Sequence, residues 1–249
     1  MSLPRNAKRI IEHYTKLNIG GTYVVAPYFM NDKGRKGRRV SVGKGTPHAL
    51  ERETVRLAKK YNFDTTQASA QQIRDFMISH RLGIDCSGLV SWALNELVLT
   101  HTGRPLWYYI TFKGHPFRVS IVKRFRPVEN ISARLLTDQS NTLIVHDMAH
   151  VRPGDIIRSL NGNHVLVVTE VSHDTQGVPL YFKYVNSTEY AGVKWGIREG
   201  KIIIKEPAGH ILQQEWIDSE NGVNWAYKAA SDFPEDTRIV RLNVLADKS

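Results

Sequence analysis

Apolar and polar positions follow helical spacing in the first half of the chain and strand-like spacing in the second. Helical signals precede Cys86 in three segments, at about 5–17, 47–61 and 66–80. The second segment begins with Thr46 as N-cap and Pro47 as its first helical residue. A further helix is predicted to begin at Cys86, because apolar residues then recur at helical spacing: Leu89, Val90, Ala93, Leu94, Leu97 and Val98.

The second half is rich in β-branched residues that alternate or run together as strands do. The strand-like runs are VSIVKRF, GDIIRSL, NHVLVVTEV, PLYFKYVNST, KIIIKE and TRIVRLNVL. Helices followed by strands predict an α+β fold with a mostly antiparallel sheet. We expect a single domain over 1–249, with an inserted helical and loop segment over 31–80 that separates an extended N-terminal piece from the cysteine helix.

Composition narrows the classes of protein that remain. Hydrophobic residues make up 41% and charged residues 23%, which is ordinary globular usage and excludes a disordered tail, a collagen-like fibre and a coiled coil. A single cysteine excludes an intramolecular disulfide and a multi-cysteine zinc site. No run is long enough for a membrane span. The net charge of +10 favours polyanionic partners: nucleic acid, anionic lipid or anionic wall polymers.

The N-terminus is compatible with two locations. MSLPRNAKRIIEHY lacks the apolar core of a secretory signal. A cytoplasmic protein and a secreted protein whose signal has been removed are therefore the two alternatives.

The residues around Cys86 favour nucleophilic chemistry. Asp85 is a suitable N-cap, which places Cys86 in the first turn of its helix. Free N–H groups and the helix dipole at that point lower a thiol pKa and can bind an oxyanion. Ser87 and Gly88 are small and would let a substrate approach. The alternative interpretation is that Cys86 is a buried apolar residue of the core.

A cysteine nucleophile needs a base, and His164 is the best placed histidine. It opens a strand directly after a turn at 161–163, at the mouth of the predicted sheet. Antiparallel pairing about a turn near Thr175 places Asn186 opposite His164, where it would orient the ring. A slip of one residue would substitute Ser187. The alternative for His164 is a solvated histidine at the end of a strand.

These segments resemble the NlpC/P60 family of papain-like cysteine peptidases. The resemblance rests on three motifs, Asp85-Cys86-Ser87-Gly88-Leu89-Val90, Pro153-Gly154-Asp155 and His164-Val165. It implies a papain-like α+β core in which Cys86 is the nucleophile, His164 the base and Asn186 the third residue. The family's Gly-x-Pro-Tyr element, whose tyrosine lies near the thiol, is matched best by Ala26-Pro27-Tyr28, so Tyr28 is the candidate and Tyr23 the second choice.

The chain also departs from the family pattern. About 55 residues separate the Pro-Tyr element from the cysteine, and 78 separate Cys86 from His164, both longer than usual. Enlarged loops around a cleft change substrate choice more readily than chemistry.

The resemblance implies a cysteine hydrolase that cleaves an amide bond, with a bacterial cell-wall (peptidoglycan) peptide as the expected substrate. Asp85, Ser87 and Tyr28 are the expected oxyanion and substrate-binding residues, and neither a metal nor an organic cofactor is expected. An acyltransferase or transamidase with the same site is one alternative. The other is a non-catalytic module that binds polyanions or cell wall through its basic loops.

The sequence carries several weaker signals. His146 and His150 echo a zinc motif but lack a third ligand, and 37–45 does not satisfy the phosphate-loop pattern. The first basic cluster is expected to be a solvated loop, with a polyanion contact as the alternative: Lys33, Arg35, Lys36, Arg38 and Arg39. A second basic patch is expected on the exposed side of a strand: Lys123, Arg124 and Arg126. Three tryptophans are expected in the core, with a cleft as the alternative: Trp195, Trp216 and Trp225.

Overall fold

A computed structural model describes residues 1–30, 39–190, 193–218 and 224–246. The α-helices in these ranges are α1 (Arg5–Thr15), α2 (Pro47–Lys60), α3 (Ala70–Ser79), α4 (Cys86–Thr102), α5 (Leu106–Tyr109), α6 (Pro116–Phe125), α7 (Ala133–Leu136) and α8 (Trp225–Ser231). The strands are β1 (Leu17–Ile19), β2 (Thr22–Val24), β3 (Thr142–Val145), β4 (Ile156–Ser159), β5 (His164–His173), β6 (Pro179–Tyr190), β7 (Val193–Ile203), β8 (Glu215–Asp218) and β9 (Arg238–Leu242).

The strands form two sheets, and every strand pair in the described ranges is antiparallel. β1 and β2 form a hairpin, and the other seven strands form one sheet in the order β3-β9-β4-β5-β6-β7-β8. The α+β class with an antiparallel sheet is therefore confirmed. No helix in the described ranges is both long and apolar enough to cross a membrane.

The large sheet is covered on both faces at its centre, which explains the unbroken apolar run at the start of β5. Val165 and Val167 pack into a core that includes α1, α4 and the β1–β2 hairpin. Leu166 and Val168 point the other way, into a second core with β8 and α8. A strand that is buried on both faces needs apolar residues at successive positions. Adjacent residues of β5 therefore pack in different hydrophobic cores.

N-cap residues mark the starts of α2 and α3. Thr46 accepts a hydrogen bond from Ala49 N at 3.2 Å and caps α2, which begins at Pro47 as predicted. The predicted helix at about 66–80 is shorter, because Ser69 and Gln72 form a capping box that starts α3 at Ala70.

One strand prediction was wrong. The β-branched residues of 119–125 predict a strand, but these residues belong to α6. Pro116 occupies the first helical position, where its fixed φ favours a helix, and β propensity is easily overridden by such context. The basic patch of Lys123 and Arg124 consequently lies in the last turn of a helix rather than on a strand. Three short strands, β1, β3 and β8, were not predicted.

The structure describes residues 39–80 of the expected inserted segment 31–80. Residues 31–38, with most of the first basic cluster, lie outside the described residues. α2 and α3 pack on the β1–β2 hairpin, away from the cleft described below. Within the described part of this segment, only the loop at 39–45, which contains a 3-10 turn over Arg39–Val42, contributes to that cleft.

Candidate active site

One cleft brings the three predicted catalytic residues together. Cys86, His164 and Asn186 all line a cavity of about 760 Å³. Cys86 comes from the first turn of α4, His164 from the start of β5, and Asn186 from the neighbouring strand β6. The three side chains are buried, with exposed fractions of 4%, 9% and 3% respectively.

Asp85 has the capping role expected from the sequence. Its backbone is extended, and its Oδ1 accepts a hydrogen bond from Gly88 N at 2.6 Å. α4 therefore begins at Cys86, and no described backbone or side-chain acceptor takes the Cys86 N–H. This N–H remains available for a developing oxyanion.

Asn186 contacts the His164 ring, although the predicted register was shifted by two residues. The observed pairing is Val167 with Val185 and Val168 with Tyr184. A shift of two keeps every side chain on its face, and the Asn186 amide nitrogen lies 3.3 Å from His164 Nε2. Nδ1 can accept a proton only when the ring hydrogen is on Nε2, and the Asn186 amide would then turn its Oδ1, which has no other partner among the described residues, toward that hydrogen.

Ser187, the alternative third residue, points away from the ring. Its hydroxyl donates to the Ile84 carbonyl at 2.7 Å, directly before the nucleophile segment. It ties β6 to the chain that leads into α4, and it does not line the cleft.

The thiol and the imidazole do not hydrogen-bond to each other. Cys86 Sγ is directed at the Asn163 carbonyl, 3.8 Å away, in the turn that precedes His164. Catalytic hydrogen bonds are often long in a free enzyme and tighten when substrate binds. Cys86 and His164 thus line the same cleft without a hydrogen bond between the thiol and the ring.

The prediction of an acidic thiol is wrong for this state of the cleft. Burial first, and the charge of Asp85 second, raise the pKa of Cys86 to about 12. The Lys44 ammonium and the backbone N–H groups of Val165 and Ser87 lower that pKa but do not reverse the effect of burial. The sequence showed the helix terminus but not the desolvation around it.

His164 is also held neutral. Burial lowers the pKa of its ring to about 4. At pH 7 the site therefore holds a neutral thiol and a neutral imidazole that can accept a proton. A Cys–His pair in this state acts by general-base transfer during attack, as a serine–histidine pair does.

A buried lysine that was not predicted contacts the start of α4. Lys44, only 5% exposed, donates to Asp85 Oδ1 at 2.8 Å, to Ser87 Oγ, and to the Ile131 carbonyl at 3.1 Å. All three ammonium hydrogens thus have acceptors. The sequence placed Lys44 in a loop without a motif, and only the fold brings it to α4.

Two glycines allow the Lys44 loop to pack against α4. Gly43 has a positive φ of 72°, and a Cβ there would lie 2.2 Å from the Phe29 carbonyl. A Cβ on Gly88 would lie 2.4 Å from the Gly43 carbonyl oxygen. Gly88 therefore makes room for this loop, and not for substrate as the sequence suggested.

The two tyrosine candidates occupy different places. Tyr28 lines the same cleft as Cys86, and its backbone forms a bridge with Ile84. Tyr23 is 66% exposed on β2 and does not line the cleft. Tyr28 therefore remains the candidate that can reach a bound substrate.

The cleft carries charges of both signs. Besides Lys44 and Asp85 it is lined by two arginines and four acids: Arg134, Arg198, Glu129, Glu189, Glu199 and Asp232. Trp225 also lines it, against the expectation of core packing, whereas Trp216 is 8% exposed in the core as expected. The side chain of Trp195 lies outside the described residues.

A possible metal-ligand set lies elsewhere in the described chain. His13, His48 and Glu51 offer ligand atoms that all lie within 4.8 Å of one another, on α1 and α2, and none of them lines the cleft. The zinc-like segment around His146 and His150 forms a 3-10 turn over Met148–His150.

The neutral state of the pair predicts a distinctive reactivity. Because the pKa of Cys86 is about 12, roughly one thiol in 10⁵ is ionised at pH 7, so iodoacetamide should alkylate it slowly. The rate should rise about tenfold per pH unit up to pH 10 without a plateau. Since the only cysteine is Cys86, mass spectrometry of the modified protein reports on this thiol alone.

A small free thiol, which reaches its plateau above a pKa of about 8.5, is the control for this measurement. His164→Ala should leave the profile unchanged, because the ring is uncharged over this pH range. A plateau with a midpoint below pH 8 that moves in His164→Ala would instead establish a thiolate–imidazolium pair.

A scan against models of protein families, a search of curated proteins and a search of solved structures each returned no match for this chain.

Proposed function

We propose that the chain is a cysteine hydrolase of the papain-like NlpC/P60 type that cleaves an amide bond. The observation that carries the proposal is the meeting of Cys86, His164 and Asn186 in one cleft, from three separate elements. A helix N-terminus, a strand-end imidazole and an amide on the next strand are the parts that thiol acyl transfer requires. Their order along the chain is the one that the sequence motifs predict.

The first step is attack by sulfur on the substrate carbonyl carbon. His164 takes the thiol proton as the C–S bond forms, and the carbonyl oxygen becomes an oxyanion near the Cys86 N–H, with Tyr28 at the cleft wall. Asn186 holds the ring through Nε2. Collapse of the intermediate breaks the C–N bond, and His164 returns the proton to the leaving amine, which leaves a thioester on Cys86.

The second step is hydrolysis of the thioester. His164 removes a proton from water as the oxygen attacks, and the proton then goes to the departing sulfur. The neutral thiol and the neutral imidazole are both restored, so the catalytic cycle begins and ends in the protonation state that burial favours.

The substrate that we propose is a cell-wall peptide. Such peptides carry carboxylates together with the free amino group of a diamino acid, and this cleft offers both arginines and acids. Charges that face each other across a cleft fix the register of a ligand more than they add affinity. A bond from γ-D-glutamate to a diamino acid is the expected target.

Digestion of purified sacculi tests this proposal. The wild-type protein should release muropeptides with a new amino terminus, and Cys86→Ala should release none. Products that carry an added amine instead of water would identify the acyltransferase alternative. No released fragment from sacculi or from isolated stem peptides would contradict the substrate assignment.

The non-catalytic module is the second candidate, because the raised thiol pKa and the lack of a thiol–imidazole bond favour it. It predicts that sacculi bind wild type and Cys86→Ala equally without cleavage. It also predicts no burst of thioester formation with an activated ester.

A further inference from the structure

Helix α6 is exposed along its length, with no buried residue. Phe117, Ile121 and Phe125 are 72%, 45% and 64% exposed. Large apolar side chains scattered singly are normal on a protein surface, but a contiguous set usually marks a site of interaction.

The three apolar residues form one stripe. They are spaced by four positions, so each follows the last by about 40° around the helix. Val119 and Val122, which are only partly exposed, lie about 160° and about 100° around the helix from the centre of this stripe. α6 therefore rests on the protein by one face and offers a second apolar face to its surroundings.

The segment that carries the stripe is strongly basic. Residues 106–126 contain no aspartate or glutamate and five basic residues: Lys113, Arg118, Lys123, Arg124 and Arg126. At 100° per residue, Arg118 and Arg124 flank the apolar stripe on its two sides. An apolar stripe bordered by arginines is the pattern of helices that lie in the interface of an anionic membrane.

We propose that α6 binds the surface of an anionic lipid bilayer, with Phe117, Ile121 and Phe125 inserted among the acyl chains and the arginines at the headgroups. This inference stands apart from the proposed hydrolase activity. Ten residues of helix extend about 15 Å, half of what a span needs, so α6 lies in the interface.

The positive charge of α6 favours a lipid surface over the other possible partners of its exposed face. A second copy of the chain would bring two basic helices together, and their like charges would oppose that contact. A soluble polyanion would satisfy the arginines but would leave the apolar stripe in water. Only an anionic bilayer matches both features at once.

The position of α6 relates the membrane to the cleft. The chain leaves α6 at Phe125 and reaches Glu129 and Ile131, which line the cleft wall, within six residues. Arg126 pairs with Glu129 at 3.7 Å across this short link. Binding through α6 would therefore hold the cleft close to the bilayer surface.

Co-sedimentation with vesicles tests the proposal. The full chain should bind vesicles of equal parts phosphatidylglycerol and phosphatidylcholine at physiological ionic strength, and phosphatidylcholine vesicles far less. The triple variant Phe117→Ser, Ile121→Ser, Phe125→Ser should lose about a hundredfold in affinity. Arg118→Ser with Arg124→Ser should lose about thirtyfold.

Matched control variants test whether vesicle binding depends on α6 itself or on any exposed apolar or charged residue. Val178→Ser, Leu180→Ser and Ile217→Ser change three other exposed apolar residues, and Lys59→Ser with Lys60→Ser changes two other exposed charges. Both control sets should bind as the wild type does. All the replaced residues are exposed or at a helix surface, and urea unfolding of each variant verifies that it folds.

Three results would overturn the proposal. One is a wild-type protein that does not sediment with the anionic vesicles. Another is binding that the arginine variant loses but the apolar triple variant keeps, which would indicate a polyanion contact. The last is a dimer in light scattering that the triple variant dissociates, with no vesicle binding, which would indicate a second copy of the chain.

Discussion

Replacement of Cys86 by serine should lower the rate of amide hydrolysis by at least about 10⁴-fold. A hydroxyl is a poorer nucleophile than a thiol. Its proton is also less acidic, so the neutral imidazole of His164 removes it less readily. His164→Ala should cost a comparable factor, because attack by a neutral thiol needs a base. The double variant should be no slower than either single variant, since the two residues act as a unit.

The measurement is the release of peptide or muropeptide, followed by mass spectrometry. Ser91→Ala is the matched control, because Ser91 is buried in the same helix, its hydroxyl has no hydrogen-bond partner among the described residues, and it does not line the cleft. It should retain full activity. A Cys86→Ser protein with more than a tenth of the wild-type rate would remove Cys86 from the mechanism.

The residues around the nucleophile could be predicted because their signals are local. Asp85 as N-cap and Cys86 as the first helical residue follow from capping rules that need no knowledge of the fold. The contact of Asn186 with His164 was predicted for a less secure reason. The assumed register was two residues off, and the side-chain period of two in a strand kept the correct residue on the correct face.

The parts that could not be predicted depend on distant segments. Lys44 lies 41 positions before Asp85, and no local pattern distinguishes it from the other lysines of a basic loop. The raised pKa of Cys86 has the same origin, since desolvation is a property of everything packed around the thiol. Residues 119–125 were wrongly predicted to form a strand, because the local sequence contains three β-branched residues and the helix-starting proline lies before them.

Replacement of Lys44 by methionine should lower the free energy of unfolding by about 3–5 kcal/mol. Methionine fills much the same space, but the Asp85 carboxylate is then left buried beside Ser87 without its counter-ion. The loss should appear as a lower urea midpoint with an unchanged slope. Lys113→Met is the matched control: Lys113 pairs with Asp138 at 2.7 Å but is 70% exposed, so its loss should cost at most about 1 kcal/mol.

The double variant Lys44→Met with Asp85→Asn separates charge from packing. Asparagine is as good an N-cap as aspartate, so α4 keeps its start while both buried charges disappear. Most of the lost stability should return, because replacing a whole buried ion pair is far less costly than removing one partner. If the double variant is as unstable as Lys44→Met, then Lys44 stabilises the loop by its three hydrogen bonds and not by neutralising Asp85. If the stability returns, the chain needs a buried cation beside the first turn of α4 only because Asp85 caps that helix as an anion.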